Sequence, residues 1–211
     1  MIVLVAGANG LTGKRIVRRL INRDHEVHAM LRDAAQAPPF EAMGAVSVPA
    51  NLEKPLDAAV AGCDAVIFAA GSGSKTGPEK TISVDQEGAI RLIDACAAAN
   101  VRRFIMLSSM GADDPECQRE AIRHYMRAKG AADAHLAASG LDYTIVCPGY
   151  LNDDEPSGGV RLAASIGEWD KIARDDVADV IVACLDTPNT IGKRFEILAG
   201  TSNIERAVAG I

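Results

Sequence analysis

Aromatic residues are scarce in this chain: one Trp, three Tyr and four Phe, or 4% of 211 residues. Its core must come from Ala, Val, Ile and Leu, since apolar residues still make up 48%. No excess of positive charge is present, with 22 Lys+Arg against 28 Asp+Glu and a net charge of −6. That balance argues against a nucleic-acid binder or a protein that coats anionic membranes, both of which want a positive face. No apolar run approaches the roughly 18 residues of a membrane span. No basic residue precedes Met1-Ile2-Val3-Leu4-Val5, which reads as a buried strand and not as a secretory signal. No C-x-x-C pair occurs. The five cysteines (Cys63, Cys96, Cys117, Cys147, Cys184) are scattered and odd in number, which points to free thiols and a cytoplasmic, reducing compartment. The four histidines have no metal-ligand spacing, so no metal is expected, and His25 and His28, beside a strand start, are expected at the surface.

What is there is a regular alternation. Residues 2–6 are continuously apolar, as in a strand buried on both faces. Leu11, Ile16, Val17, Leu20 and Ile21 then recur at helical spacing between Lys14, Arg15, Arg18 and Arg19. Strands are expected at 26–31, 46–48, 63–69, 103–108, 142–147 and 194–198. Helices are expected at 53–60, 79–99, 118–138 and from Asp175-Asp176 to Leu185. This rhythm predicts an α/β fold, a doubly wound parallel sheet (Rossmann fold) with helices on both faces. At roughly 100–200 residues per domain, 1–211 reads as one domain. Residues 150–211 would then add a small substrate-side segment. The polar loop Gly71 to Pro78 is expected above the sheet, and Asn152 to Gly159 reads as a substrate-side flap.

The first strand runs into Gly7-Ala8-Asn9-Gly10-Leu11-Thr12-Gly13, a G-x-x-G-x-x-G turn that opens a helix. Glycines there allow a sharp turn and close approach of a pyrophosphate, and the helix N-terminus offers free N–H groups and positive dipole charge. Between a strand and a helix, with a second strand behind, the turn predicts dinucleotide binding. The second strand ends in Arg32 followed by Asp33. An Arg at that point suits a ribose 2′-phosphate, so NADP is the expected cofactor; Asp33 keeps NAD as an alternative.

Downstream, strand Phe104-Ile105-Met106-Leu107 ends in Ser108-Ser109, and Tyr125 and Lys129 follow at i,i+4 on a predicted helix. That spacing puts both on one face. An ammonium beside a phenol is expected to lower its pKa and ease proton transfer, while a Ser hydroxyl holds a carbonyl oxygen. Tyr and Lys at this spacing also occur as ordinary surface and rim residues.

These features together resemble the short-chain dehydrogenase/reductase superfamily, in its atypical NAD(P)-binding branch of NmrA-like and sugar-epimerase-like proteins. The resemblance covers most of the chain. It is carried by the Gly7–Gly13 turn, Val84-Asp85-Gln86-Glu87-Gly88, the run Val101 to Ala112, Ser139 to Val146 and Asp175-Asp176-Val177-Ala178. It implies NADP along Gly7, Asn9, Gly10, Leu11, Thr12 and Gly13, with Arg32 at the 2′-phosphate and Asn51-Leu52 near the adenine. Ala69-Ala70-Gly71 would flank the dinucleotide, with Ser108 and Pro148 toward the nicotinamide and Lys129 on its ribose. Ser109, Tyr125 and Lys129 would be the catalytic positions, with Asp85 where the family usually carries Asn. Cys147 stands where Arg is expected before Pro148-Gly149; as a residue it reads as small and buried.

The expected activity is an NADP-dependent oxidoreductase or epimerase-type reaction on a small carbonyl or hydroxyl substrate. The short stretch after Tyr150 argues against a large sugar nucleotide. Two alternatives stay open: a non-catalytic NADP-binding sensor, and a flavin-reductase-like enzyme that needs no Tyr chemistry. A monomer or homodimer is expected, with helices 79–99 and 118–138 as a possible shared face.

Overall fold

The structure, a computed structural model, describes residues 1–73 and 76–211. Ser74 and Lys75, in the loop expected between Gly71 and Pro78, lie outside the described residues. The N-terminal half runs β1 (Ile2–Ala6), α1 (Leu11–Asn22), β2 (Glu26–Leu31), α2 (Ala37–Glu41), β3 (Val46–Pro49), α3 (Asp57–Val60), β4 (Ala65–Phe68), α4 (Pro78–Lys80) and α5 (Glu87–Ala98). It continues with β5 (Arg103–Leu107), α6 (Glu120–Ala138), β6 (Asp142–Pro148), β7 (Tyr150–Asn152), β8 (Gly159–Ala163) and β9 (Lys171–Ala173). The chain closes with α7 (Arg174–Leu185), β10 (Lys193–Ala199), β11 (Ser202–Asn203) and α8 (Ile204–Ala209).

The main sheet has the order β3-β2-β1-β4-β5-β6-β10-β8-β11. From β3 to β10 every pairing is parallel; β8 runs antiparallel to β10 and to β11. The sheet is therefore a Rossmann-type sheet with an antiparallel edge, where the sequence pattern predicted parallel strands throughout. The edge escapes sequence patterning because β8 is half-exposed and short. Side chains alternate between two cores. Val3, Val5, Ile67 and Ile105 pack under α1 and α7, and Leu4, Val66, Phe104 and Met106 pack under α3, α5 and α6. Each such side chain, fully buried, contributes about 1.5–3 kcal/mol. Among the described residues no helix is long and apolar enough to cross a membrane.

Helix α1 turns Ile16, Val17 and Leu20 toward the sheet and carries arginines every fourth residue on its flank. Arg15 Nε lies 2.6 Å from Asp175, and Arg19 bridges Asp175 (2.8 Å) and Asp179 (2.5 Å). These half-buried pairs join α1 to α7 across the same face.

Two local expectations gain detail, and the second is corrected. The stretch 152–159, expected as a substrate-side flap, is exposed along most of its length and tethered to the body of the fold. Asp176 is buried and accepts hydrogen bonds from Ser157 N (2.9 Å), Ser157 Oγ (3.1 Å) and Gly158 N (2.9 Å), while Asp153 pairs with Arg15 and Arg174. His25 and His28 are half-buried. His25 faces Asp186 at 3.8 Å, and His28 lies between Glu26 (3.1 Å) and Cys63 Sγ (3.9 Å).

The predicted helix 79–99 is interrupted. Between α4 and α5, Thr81–Gln86 form a wide π-helical turn. Such turns insert an extra residue and often re-aim a side chain at a functional site. Here Asp85 is 1% exposed and takes a hydrogen bond from Ser72 N at 2.9 Å.

Candidate functional site

Crossovers on opposite faces leave a crevice where strand order reverses, at the C-terminal ends of β1 and β4. The glycine turn fills it. Gly7 has φ +86°, and a Cβ there would lie 2.5 Å from Ala70 N. A Cβ on Gly13 would lie 2.1 Å from Gly7 O. Gly10 N closes the turn on Gly7 O at 2.9 Å. Gly10 then caps α1 with no side-chain hydrogen bond, and α1 has no acidic residue in its first turn. The first amides of a twelve-residue helix are thus left to an external anion. Leu11 is exposed at that end, whereas Thr12 and Gly13 are buried beneath the turn.

Beside the turn lies a cavity of about 280 Å³. Gly7, Asn9 and Gly10 form one wall, Arg32, Asn51 and Leu52 another, and Ala69, Ala70 and Gly71 the third. Nine residues assigned to the cofactor are therefore brought together. The dinucleotide fits this crevice on two grounds: the uncapped helix end, and the positions where a Cβ would fill the turn. Asp33 does not line the cavity; its carboxylate accepts from Ala35 N at 2.9 Å and caps the following short turn. Among the described residues the Arg32 side chain has no hydrogen-bond or ion-pair partner.

Of the proposed catalytic positions, Ser109, Tyr125 and Lys129 do not line this cavity and lie on and around α6, whereas Asp85 borders it through Ser72. Lys129 is 1% exposed; its Nζ donates to Leu107 O at 2.6 Å and sits 5.5 Å from the Phe68 ring centroid. Ser109 Oγ donates to Met110 O at 3.2 Å. Tyr125 is set on the same helix, which packs against the π-helical turn that bears Asp85. Burial, then the charges of Asp85, Asp133 and Cys147, push the Tyr125 hydroxyl well above the ordinary phenol value. That is opposite to the depression expected from Lys129. The reason is local: the ammonium is turned to the Leu107 carbonyl, and burial, with the charges of Asp85 and Asp133 behind it, outweighs any pull from Lys129 on the phenol.

Asp133 was not singled out by the sequence, yet it continues the stripe Tyr125, Lys129, Asp133 at four-residue steps. It is 7% exposed and accepts a hydrogen bond from Ser108 Oγ at 2.5 Å. Among the described residues its Oδ1 has no hydrogen-bond partner. Burial raises its pKa, against the lowering influence of Lys129 and Ser108. The i,i+4 repetition was the available signal. Pro148 ends β6 at the same sheet edge, and its carbonyl accepts from Met110 N at 3.0 Å. Cys147 is fully buried, and burial pushes its thiol up to about 12, so it is an inert core residue. A larger groove of about 590 Å³ runs along α6, lined by Ala131, Asp133 and Ala134 and, from other elements, by Tyr143 and Arg194. None of the residues assigned to the cofactor lines it.

Comparison with known proteins agrees with this geometry. The model of the NAD(P)H-binding family matches residues 7–188. The uncharacterized sugar epimerase YhfK of Bacillus subtilis is 45% identical over 212 residues, covering 99% of each chain. A Bacillus halodurans protein whose name places it among NAD-dependent epimerases/dehydratases is 44% identical, with TM-score 0.98 over 100% of both chains. The oxidoreductase ylbE of Lactococcus lactis is 29% identical, with TM-score 0.91 over 100% of this chain and 96% of that one. The chain belongs to the NAD(P)H-binding family, among its epimerase-like members of the atypical short-chain dehydrogenase/reductase type.

Proposed function

We propose that this protein is an NADP-dependent reductase of the oxidoreductase/epimerase type, acting on a small carbonyl compound with Tyr125 as proton donor. The observation that carries the reading is the place of Tyr125 on α6, one turn before the buried Lys129 on a helix that packs against the turn bearing Asp85. Its hydroxyl, raised above the ordinary phenol value chiefly by burial, is protonated at neutral pH. A phenol so placed is a donor to a developing alkoxide rather than a base for an alcohol.

The Gly7–Gly13 turn and the α1 amides would hold the pyrophosphate, Arg32 the 2′-phosphate, and Asn51 with Leu52 the adenine. Ser108, Lys129 and Pro148 would serve the nicotinamide end. When bound, the reduced nicotinamide supplies the hydride that the carbonyl carbon accepts. Tyr125 gives its proton to the carbonyl oxygen. Ser109 holds that oxygen before transfer. Lys129 spends one N–H on Leu107 O and keeps two for a ribose hydroxyl or the phenol oxygen. Asp85 anchors the loop after β4 through Ser72 N, which fixes one wall of the crevice.

A second reading has its own support. The Lys129–Leu107 hydrogen bond and the raised Tyr125 pKa also suit hydride transfer to an acceptor such as a flavin, which needs no proton from Tyr125. Replacing Tyr125 by Phe separates the two. Loss of carbonyl reduction with retained NADPH binding supports the first reading, and undiminished turnover supports the second.

A further inference from the structure

The cofactor cavity carries a charge arrangement at its mouth that the glycine turn and Arg32 do not account for. Lys80, the last residue of α4, lines the cavity, and its Nζ donates to both carboxylate oxygens of Glu53, at 2.8 and 2.7 Å. Glu53 follows Asn51-Leu52, and its own amide is fixed by Asn51 Oδ1 at 3.0 Å. The carboxyl is held below its ordinary range chiefly by Lys80, then by Ser83, with Arg32 adding a further pull through its charge. Glu53 is therefore bound to one cation, Lys80, while a second, Arg32, lines the same cavity as Lys80 and has no partner among the described residues.

We propose that the Glu53–Lys80 ion pair is a specificity element of the cofactor site. Lys80 occupies both Glu53 oxygens and so leaves Arg32 free to take a phosphate on the adenosine ribose. This inference rests on the proposed use of Arg32 for NADP. An Arg fork matches a phosphate or a carboxylate equally well, so a carboxylate released beside Arg32 competes directly with the cofactor's phosphate. The effect is confined to cofactors that carry that phosphate. Being half-exposed, the arrangement is screened by salt and acts most strongly at low ionic strength.

The test is fluorescence titration of NADPH and NADH into the full chain at low ionic strength, for the wild type, Lys80→Met, Glu53→Gln and the double variant. Lys80→Met keeps most of the aliphatic stem and frees Glu53. It is expected to weaken NADPH binding about tenfold while NADH binding stays within about twofold. Glu53→Gln alone is expected to match or exceed the wild type for NADPH. The double variant is expected to recover to within about threefold of wild type, because no carboxylate remains to discharge Arg32. Parallel weakening of both cofactors by Lys80→Met would overturn the proposal in favour of a purely structural pair. A double variant as weak as Lys80→Met would overturn it in favour of direct contact between Lys80 and the phosphate. The wild type alone tests the underlying reading: equal affinity for NADPH and NADH would remove the role of Arg32, whatever the variants do.

Discussion

Ser108 Oγ donates to Asp133 Oδ2 at 2.5 Å, tying the end of β5 to the middle of α6 inside the core. Both side chains are buried, and the bond lies one helical turn from Lys129. Replacing Asp133 by Leu is expected to leave the Ser108 hydroxyl unsatisfied and to destabilise the protein by about 1–3 kcal/mol. Asp133→Asn keeps an acceptor and is expected to cost less. Urea denaturation of the two variants checks the order. Equal losses would mean that shape, and not the hydrogen bond, holds the two elements together.

Tyr125 gives alkaline stability a definite sign. In the unfolded chain its hydroxyl ionises near pH 10, whereas in the folded protein burial and the nearby Asp85 and Asp133 hold it protonated to higher pH. The associated stability is complete below about pH 10 and falls as pH rises toward the folded value. Wild type is expected to lose stability more steeply than Tyr125→Phe above about pH 10. Tm measured against pH for both proteins shows whether the slopes diverge; parallel slopes would contradict the raised pKa of the Tyr125 phenol.

Asp175 gives acid stability the opposite sign. Burial works against its charge, but hydrogen bonds from Arg15 and Arg19 outweigh this and hold its carboxyl below the ordinary range. The benefit is present above the unfolded value of about 4 and is lost as pH falls through the folded one. Because the pairs are partly exposed, Asp175→Asn is expected to lower Tm at neutral pH by only about 2 °C. That gap should close below about pH 4. Thermal melts at the two pH values test it, and a gap that persists in acid would refute the assignment.

Gly13 is where backbone meets backbone. With a Cβ 2.1 Å from Gly7 O, Gly13→Ala forces the turn open. It is expected to cost about 1–3 kcal/mol of stability and to weaken NADPH and NADH binding alike. Isothermal titration with both cofactors checks this; loss of NADPH affinity alone would place the defect at the phosphate and not at the turn.

Much of the arrangement was legible in the chain itself. The apolar runs 2–6 and 65–68 and the glycine spacing set the parallel sheet and its crevice, because buried strands and tight turns leave strong local patterns. Arg32, Asn51 and Ala69–Gly71 meet at one cavity because their strand ends share one edge. The antiparallel edge was not legible, since β8 alternates weakly and its pairing with β10 is non-local. The π-helical turn was hidden inside a continuous helical pattern, and so was the way it turns Asp85 inward. The role of Asp133 is not legible in the chain, because an Asp within an Ala-rich helix reads as solvated and its packing partner Ser108 is distant in sequence. The depressed Tyr125 pKa expected from Lys129 is reversed for a related reason: spacing on a helix says which side chains share a face, but not how far packing will withdraw a phenol from water or which acceptor an ammonium chooses.

Proton donation by Tyr125 in an NADPH-dependent reduction is measured by following NADPH oxidation with a panel of small aldehydes, ketones and quinones, for wild type and Tyr125→Phe side by side. Turnover of at least one carbonyl by wild type is expected, with a loss of about 100-fold or more in Tyr125→Phe and NADPH affinity unchanged within about threefold. Undiminished turnover in Tyr125→Phe would contradict it, and so would tight NADPH binding by the wild type without oxidation by any member of the panel.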